Sequence, residues 1–375
     1  MSDRILKIAN IGDIHLGHHA TPTKHIIRNL DREITNALLD EIDLLTLAGD
    51  VQDKLLNYND GDVADIEEWI TRLLYRCAER NVVIRVVEGT PSHDRNQSRF
   101  FVRQAVMSDI PVDVAYFDKV AIEHIKALGV TMLYVPDIAY NDPNEVNEKV
   151  KLLLLEEQLE HVDFALMHGA FPHQLPDVAE KHTFSEEFFT SVVKHLIFIG
   201  DIHTSLPKGK IIASGSFDRL KHKEEEAKGM HKVTVNLDTG VFKATFIENK
   251  GAKIYKTVDV RGLSEEALWG VVQKLTVEYP VGSAFSLLSN QVDSIAKAVA
   301  VLRSKYSEFK WTVAVEKDDR VLGSELRDVM NSGRVELKAL TPEVMMEQID
   351  SIMTEDGVDS IDRQQALLLL NKVLL

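Results

Sequence analysis

Apolar residues in the first 250 positions follow two alternating spacings. Continuous apolar runs such as ILKIANIGD and DLLTLAGD predict buried strands, whereas TKHIIRNLDREITNALLDEI carries its apolar residues at helical spacing. The alternation continues to HLIFIGDIHT, after which short strands follow one another, with Asp238-Thr239-Gly240 as a predicted hairpin loop. Strands and helices that alternate and then end in a β meander favour an α/β sandwich with mixed sheets, here over residues 1–250.

The remaining residues divide into two further predicted parts. Residues 251–325 alternate short strands with two helical stretches, which favours a small α+β domain of the βαββαβ kind. Residues 335–375 are predicted to be helical, and ALLLLNKVLL is apolar almost all round, which is rare for a surface helix of an isolated protein. We therefore expect this segment to dock on a partner, the alternative being that its helices pack on their own domain.

Composition and charge narrow the class of protein. A chain of 375 residues with 45% apolar residues suffices for two to three domains. Its formal net charge of −16 argues against a protein that coats nucleic acid through a basic face. The single cysteine, Cys77, excludes a disulfide framework. Because neither a secretory signal pattern nor an apolar run of membrane length is visible, we expect a cytoplasmic protein without a membrane partner.

Aspartate or histidine follows five of the predicted strands, beside a glycine. These strand ends are Gly12-Asp13-Ile14-His15, Gly49-Asp50-Val51-Gln52-Asp53, the stretch from Gly89 to Asp94, Met167-His168-Gly169 and Gly200-Asp201-Ile202-His203. In α/β sheets, sites form at the carboxyl ends of strands. Carboxylate and imidazole ligands together suit Mn²⁺, Fe²⁺ or Zn²⁺ better than Ca²⁺. One such ending is more often an ordinary turn, but five together predict a metal site.

This ordered set resembles the calcineurin-like metallophosphoesterase family, whose pattern is D-x-H, GD-x-x-D, GNH-D/E, a later H and a final GH-x-H. The downstream stretch ASGSFDRLKHKEEEAKGMHKV is similar to the SbcD-like DNA repair nucleases, the nuclease subunits of bacterial and phage recombination complexes. The resemblance covers about the first 245 residues. It implies a four-layer α/β/β/α sandwich capped by the small α+β domain.

The resemblance also implies an activity and partners. We expect a Mn²⁺-dependent DNA exonuclease or endonuclease that holds two Mn²⁺ ions, with Mg²⁺ or another divalent metal as a substitute. Hydrolysis would proceed by attack of a metal-activated water on the phosphodiester. The expected partners are double-stranded DNA, a coiled-coil ATPase of the SbcC kind bound through the C-terminal helices, and a second copy of the chain. The setting would be the bacterial cytoplasm.

The family's roles fall on matching positions of this chain. The implied ligands of the two metals are Asp13, His15, Asp50, His168, Asp201 and His203. Among these, Asp50 would bridge both ions, with His168 and Asp201 at the second. His93 matches the histidine that contacts the phosphate and assists the leaving oxygen, and Asp53 matches the residue that pairs with that histidine and orients it.

Two departures and one basic stretch complete the predicted site. GTPSHD replaces the family's GNHD, which makes Ser92 a weak candidate ligand, and Asp201 stands where the family has the first histidine of GH-x-H. Arg95, Arg99 and Arg103 follow His93 at helical spacing and are predicted to meet DNA phosphates, the alternative being a solvated helix face. The stretch KHKEEEAK is typical of an exposed mixed-charge loop, with a path for DNA as the alternative.

Two other functions remain open from the sequence. The same scaffold supports phosphatases and cyclic-nucleotide phosphodiesterases, although the domains after residue 250 argue against a minimal phosphatase. The two departures from the motifs are also compatible with a catalytically weakened scaffold subunit.

Overall fold

Two β-sheets and the helices around them form most of the described chain. The computed structural model describes residues 3–57, 59–137, 143–176, 182–290 and 292–315. The first sheet has the order β11-β10-β1-β2-β3-β4, and its strands are β1 Ile5–Ile11, β2 Leu44–Ala48, β3 Val83–Val87, β4 Val114–Phe117, β10 Gly229–Asn236 and β11 Phe242–Glu248. The second sheet has the order β5-β6-β7-β8-β9, and its strands are β5 Ala121–Ile125, β6 Val130–Val135, β7 Val162–His168, β8 Val193–Gly200 and β9 Ile211–Ala213.

The two sheets pack face to face, with helices on both outer sides. Alternate residues of the strands, such as Val83 and Val87 of β3, meet Tyr134 and Phe164 of the second sheet in a buried core. The helices are α1 Thr23–Glu33, α2 Asn36–Leu39, α3 Gly61–Ala78, α4 Phe100–Met107, α5 Pro143–Glu156 and α6 Glu186–Val192. Helices α1 to α4 cover the first sheet and α5 and α6 cover the second. The predicted α/β sandwich of four layers is therefore confirmed for the described residues.

The direction of the strands determines where the site lies. Strands β1, β2, β3 and β4 run parallel in the first sheet, and β6, β7, β8 and β9 run parallel in the second. The carboxyl ends of β1, β2 and β3 thus share one edge of the first sheet, and those of β7 and β8 share one edge of the second. Backbone and side-chain bonds join the two edges: the Asp201 N–H donates to Asp13 Oδ1 at 2.9 Å, and His168 Nδ1–H donates to the Ala48 carbonyl at 2.6 Å.

A smaller sheet follows the sandwich. Its elements are β12 Tyr255–Asp259, α7 Glu265–Glu278, β13 Ala284–Ser289, α8 Val292–Lys305 and β14 Lys310–Val315, with the strand order β12-β13-β14. It has a hydrophobic core of its own around Phe285 and Trp311. Each predicted stretch forms the expected strand or helix, but the order in the described part of this region is βαβαβ with three strands, not the predicted βαββαβ with four. The boundary at residue 325 lies outside the described residues. So does the helical segment 335–375 predicted to dock on a partner.

Two local predictions have different outcomes in the structure. The single helix expected over residues 23–42 is two helices, because α1 ends at Glu33 and Thr35 caps α2 by accepting from the Leu38 N–H. The hairpin loop at Asp238-Thr239-Gly240 is confirmed: it joins β10 to β11, and Gly240 has a φ of 75°. None of the described helices is long and apolar enough to cross a membrane.

Candidate metal centre

Four of the predicted ligands lie in strained backbone at the ends of strands. Asp13, His15, Asp50 and Asp201 have φ values of 49°, 55°, 49° and 104°, a region that residues other than glycine rarely adopt. Such strain persists where packing fixes it and is common at functional sites. The neighbouring glycine at position 89 is required by space, because a Cβ there would collide with the Asp50 carboxylate.

The imidazole rings of His15 and His203 direct their Nε2 atoms at each other. The Nδ1–H of His15 donates to Asp53 Oδ1 at 3.2 Å, and the Nδ1–H of His203 donates to Glu224 Oε1 at 2.7 Å. Each ring therefore has its lone pair on Nε2, and the two Nε2 atoms are 3.2 Å apart. Lone pairs at this distance repel each other unless a proton or a cation lies between them.

The third imidazole shows the same arrangement. His168 is fully buried and donates its Nδ1–H to Ala48, so its Nε2 faces Asp50 Oδ1 at 3.5 Å. Burial alone would lower the pKa of His168, but the charge of Asp50 and its hydrogen bond raise that pKa well above its ordinary value. Burial likewise raises the pKa of Asp13. The buried imidazole nitrogens and carboxylate oxygens here are the kinds of donor that a divalent metal takes, so the donor set fits such an ion.

The possible ligand atoms form two compact groups, as expected for two neighbouring metal positions. Within the described residues, ligand atoms of Asp13, His15 and His203 lie within 4.8 Å of one another, and so do those of Asp13, Asp50 and His168. Asp13 belongs to both groups. The Asp201 carboxylate belongs to neither, although its charge contributes to the raised pKa of His168, so its predicted role as a ligand stays a prediction.

A further group, His18, His19 and Asp53, is compact enough for a metal but has the wrong hydrogen bonds. His18 Nδ1 accepts the N–H groups of Ala20 and Thr21 at 3.3 and 3.0 Å. Its ring proton is therefore on Nε2, and burial lowers the pKa of His18 to about 4. A neutral imidazole in this tautomer donates a hydrogen bond rather than ligating a metal.

His93 differs from the three histidines above. Its Nδ1–H donates to Asp50 Oδ2 at 2.8 Å, and about a third of its side chain is exposed. This corrects the predicted pairing, because the carboxylate that orients His93 is Asp50, while Asp53 contacts His15. Geometry alone also permits His93 to be a ligand together with His15 and Asp50. Its Nδ1 is already bonded, however, and the side chain is open to substrate.

Buried carboxylates hold the turn that presents His93. Asp94 is fully buried and accepts the N–H groups of Gly89 and Gln52 at 2.8 and 2.9 Å. Glu88 accepts from the Asn96 N–H and from the Tyr116 hydroxyl, both at 2.6 Å. Burial, followed by the charges of Asp50 and Glu88, raises the pKa of Asp94 to about 7.

Two residues of the site were not predicted from the sequence. Thr90, not Ser92, enters the cluster: its N–H donates to Asp50 Oδ1 at 2.6 Å, and its hydroxyl lies 3.3 Å from both Asp50 Oδ2 and His168 Nε2. Ser92 is exposed. Thr90 directly follows Gly89, as Asp13 and Asp50 follow glycines, and that spacing was the available signal.

Glu224 is the second missed residue. It lies in KHKEEEAK, for which an exposed loop was expected, yet it is only 5% exposed. Burial would raise the pKa of Glu224, but the bond from His203 and the charge of Lys228 lower it to about 2. A carboxylate that holds the far nitrogen of a ligating histidine is a common support of metal sites.

The predicted DNA-binding arginines are not on one helix face. Helix α4 begins at Phe100, so Arg95 lies in the preceding turn with a φ of 46°. Arg99 is paired with Asp118 at 3.1 Å. Arg99 and Arg103 line a largely apolar groove between α3 and α4 with residues such as Leu56. Their contact with DNA stays a prediction.

Comparisons with known proteins support only a distant structural likeness. No protein-family model matches the chain, and no curated protein matches it. The crystal structure of TT1561 of Thermus thermophilus is similar over 65% of this chain and 99% of its own, with 11% identity and a TM-score of 0.37. A second crystal structure has the same coverage, 12% identity and a TM-score of 0.39.

Proposed function

We propose that this chain is a divalent-metal-dependent phosphodiesterase that hydrolyses DNA, a nuclease of the SbcD-like kind. The observation that carries the proposal is the buried donor set at the joined edges of two sheets. Three imidazoles there direct their Nε2 lone pairs at one another or at two carboxylates. Mixed oxygen and nitrogen donors of this kind suit Mn²⁺, Fe²⁺ or Zn²⁺. The resemblance to the SbcD-like nucleases favours Mn²⁺ among them, with Mg²⁺ or another divalent ion as a substitute.

Each side chain has a distinct role in this proposal. Two bound divalent ions would polarise a phosphodiester and lower the pKa of water between them. Asp13, His15 and His203 would hold one ion, and Asp13, Asp50 and His168 would hold the other. Thr90 would support Asp50. Asp53 and Glu224 fix the rings of His15 and His203 by accepting their Nδ1–H groups.

His93 is the residue that meets the substrate. Asp50 accepts the Nδ1–H of His93, and this hydrogen bond raises the pKa of His93. In the resulting imidazolium form the Nε2–H can donate a proton to the leaving oxygen, because about a third of the side chain is exposed. The buried bonds of Asp94 and Glu88 keep the turn rigid, which keeps this donor at a fixed distance from the metal ligands.

DNA is preferred over a small phosphate ester for two reasons. The stretch from residue 213 onward is similar to the SbcD-like nucleases, whereas the motif order is common to the wider family. A three-stranded unit also follows the sandwich, which a minimal phosphatase does not need. A phosphatase, a cyclic-nucleotide phosphodiesterase and a weakened scaffold subunit are the competing functions. The ATPase partner and the homodimer stay predictions.

The test compares three substrates with the full-length chain. End-labelled duplex DNA, bis-para-nitrophenyl phosphate and para-nitrophenyl phosphate are incubated with Mn²⁺ or with chelator, with Asp50→Asn as the inactive control. We expect Mn²⁺-dependent cleavage of DNA and of the diester, and little action on the monoester. Action on the monoester alone would favour a phosphatase. Failure to bind Mn²⁺ by elemental analysis would favour the scaffold.

A further inference from the structure

A cationic cleft lies where helix α1 meets the chain leading into β12. It has a volume of about 380 Å³ and contains Lys24, Arg28, Lys253 and Lys310. Among its described lining residues there is no carboxylate, in a chain whose formal net charge is −16. Four cations around one cavity of an acidic protein are a local reversal of the overall charge.

Two of the lysines share a single neutral acceptor. The ammonium groups of Lys253 and Lys310 both donate to the Ala20 carbonyl, Lys310 at 3.2 Å. Lys253 is only 7% exposed, so its charge is costly to bury. Burial, followed by the charge of Lys310, lowers the pKa of Lys253 to about 8. A bound anion would relieve the repulsion between the two ammonium groups.

The surrounding carboxylates offset this pair only in part, because the charge of Asp218 raises the pKa of Lys253 without forming an ion pair with it. Asp218 is fully buried, and its oxygens accept from the Lys253 backbone N–H at 2.7 Å, from Asn29 at 2.7 Å and from the Arg219 N–H at 2.8 Å. Lys24 is highly exposed and lies 3.6 Å from Asp65. The ion pairs among the described residues include none with Lys253 or Lys310.

One peptide group joins the cleft to the metal centre. The Ala20 carbonyl and the Thr21 N–H belong to the same trans peptide and so point in opposite directions. The carbonyl accepts from the two lysines, and the N–H donates to His18, whose ring lies beside Asp53. The cleft is therefore on the far side of this loop from the metal ligands.

We infer that this cleft binds a backbone phosphate of the DNA strand that extends beyond the scissile bond, a proposal that rests on the proposed nuclease function. The four cations offer charge-assisted hydrogen bonds without base recognition, as phosphate contacts do. A local cationic cleft explains how an acidic chain holds a polyanion. The basic residues of the cleft come from positions 24–28 and 253–310, which are far apart in the chain. Arg95, Arg99 and Arg103, by contrast, all come from one short segment.

The experiment measures DNA affinity apart from cleavage. Fluorescence anisotropy of a labelled duplex is followed against salt concentration with the full-length chain in chelator, for wild type, Lys310→Gln and Lys253→Met. Lys126→Gln, which removes an exposed charge from the β5–β6 turn, is the matched control. Each cleft variant should bind about 10-fold more weakly. Each should also lose about one unit of the slope of log K against log salt.

The outcomes separate the cleft from the nuclease. If the cleft variants bind DNA like wild type while wild type cleaves DNA with Mn²⁺, the cleft proposal is overturned and the nuclease stands. If wild type does not bind DNA but inorganic phosphate or pyrophosphate raises its melting temperature in a Lys310-dependent way, the cleft is a small-anion site and this proposal is also overturned. Lys310→Gln alone decides the question if Lys253→Met fails to fold.

Discussion

Two clusters of charged side chains lie where the two sheets meet, and they differ in how their charges are compensated. Around Arg85 of β3, opposite charges meet: its guanidinium donates to both oxygens of Glu123 at 2.7 Å and lies 2.8 Å from Asp113. The Tyr134 hydroxyl also donates to Glu123 at 2.6 Å. In the metal centre, by contrast, imidazole nitrogens and carboxylate oxygens converge in compact groups that could hold a metal ion.

The contrast separates a structural cluster from a functional one. The Arg85 cluster lies on regular strands and satisfies its donors within the protein, so it needs nothing else. The metal centre uses four residues in left-handed backbone and leaves the Nε2 atoms of His15 and His203 opposed. Burial alone therefore does not indicate function, whereas mismatched polarity among buried groups indicates that a ligand completes the site.

The largest expected effect comes from Asp50→Asn. The change keeps the shape but removes the charge that faces His168 and His93, so we expect Mn²⁺ binding and diester hydrolysis to be abolished. In wild type, Mn²⁺ at 100 times its dissociation constant should raise the free energy of unfolding by about 2.7 kcal/mol, and in the variant it should add little. Urea unfolding with and without Mn²⁺ measures this. Hydrolysis near the wild-type rate would show that the two-metal centre is wrongly assigned.

Replacing His93 should separate chemistry from metal binding. In His93→Ala we expect bound Mn²⁺ to be unchanged and the turnover of the diester to fall by about 10²–10⁴-fold, because a proton donor is lost. Elemental analysis and steady-state kinetics measure the two quantities. His124→Ala, an exposed histidine paired with Glu157, is the control. A large drop in bound Mn²⁺ would make His93 a ligand.

Breaking the structural cluster should affect stability alone. Arg85→Met leaves the partly buried Glu123 without its cation, and we expect the free energy of unfolding in chelator to fall by about 1–3 kcal/mol. The Mn²⁺ affinity of the folded variant, measured by calorimetry, should not change. The double change Arg85→Met with Glu123→Leu should recover part of the loss. If Arg85→Met instead weakened Mn²⁺ binding and left the free energy of unfolding unchanged, the Arg85 cluster would not be purely structural.

A smaller effect should follow the loss of the carboxylate behind His203. We expect Glu224→Ala to weaken Mn²⁺ binding by about 10–100-fold, because the ring loses the acceptor that fixes its tautomer. The adjacent Glu225→Ala, which removes a partner of Lys256, is the matched control and should bind Mn²⁺ normally. Equal affinities of the two variants would exclude a positioning role for Glu224.

The smallest effect concerns the Thr90 hydroxyl. Thr90→Val keeps the shape and should weaken Mn²⁺ binding by about 1 kcal/mol, the value of one hydrogen bond, while Thr90→Ser should bind as wild type. Ser92→Ala should change nothing, since Ser92 is exposed. If Ser92→Ala proves the more damaging change, the turn has been assigned to the wrong residue.

The sequence was informative where signals are local. Apolar spacing predicted the strands and helices of the sandwich, and the position directly after a strand predicted Asp13, Asp50, His168 and His203. These residues lie together because parallel strands bring their carboxyl ends to a common edge. Their role as metal ligands stays a prediction. Helix α2 shows the limit, because a single cap at Thr35 divided one predicted helix in two.

Partners of side chains were decided by the tertiary structure. Asp53 contacts His15 rather than His93, Glu224 reaches His203 from 21 residues away, and Thr90 replaces Ser92 in the cluster. The cationic cleft combines Lys24 and Lys310, which no sequence spacing connects. The sequence by itself determined which residues end the strands. Packing between the sheets decided which atoms meet, because hydrogen bonds form over a few ångströms between residues far apart in the chain.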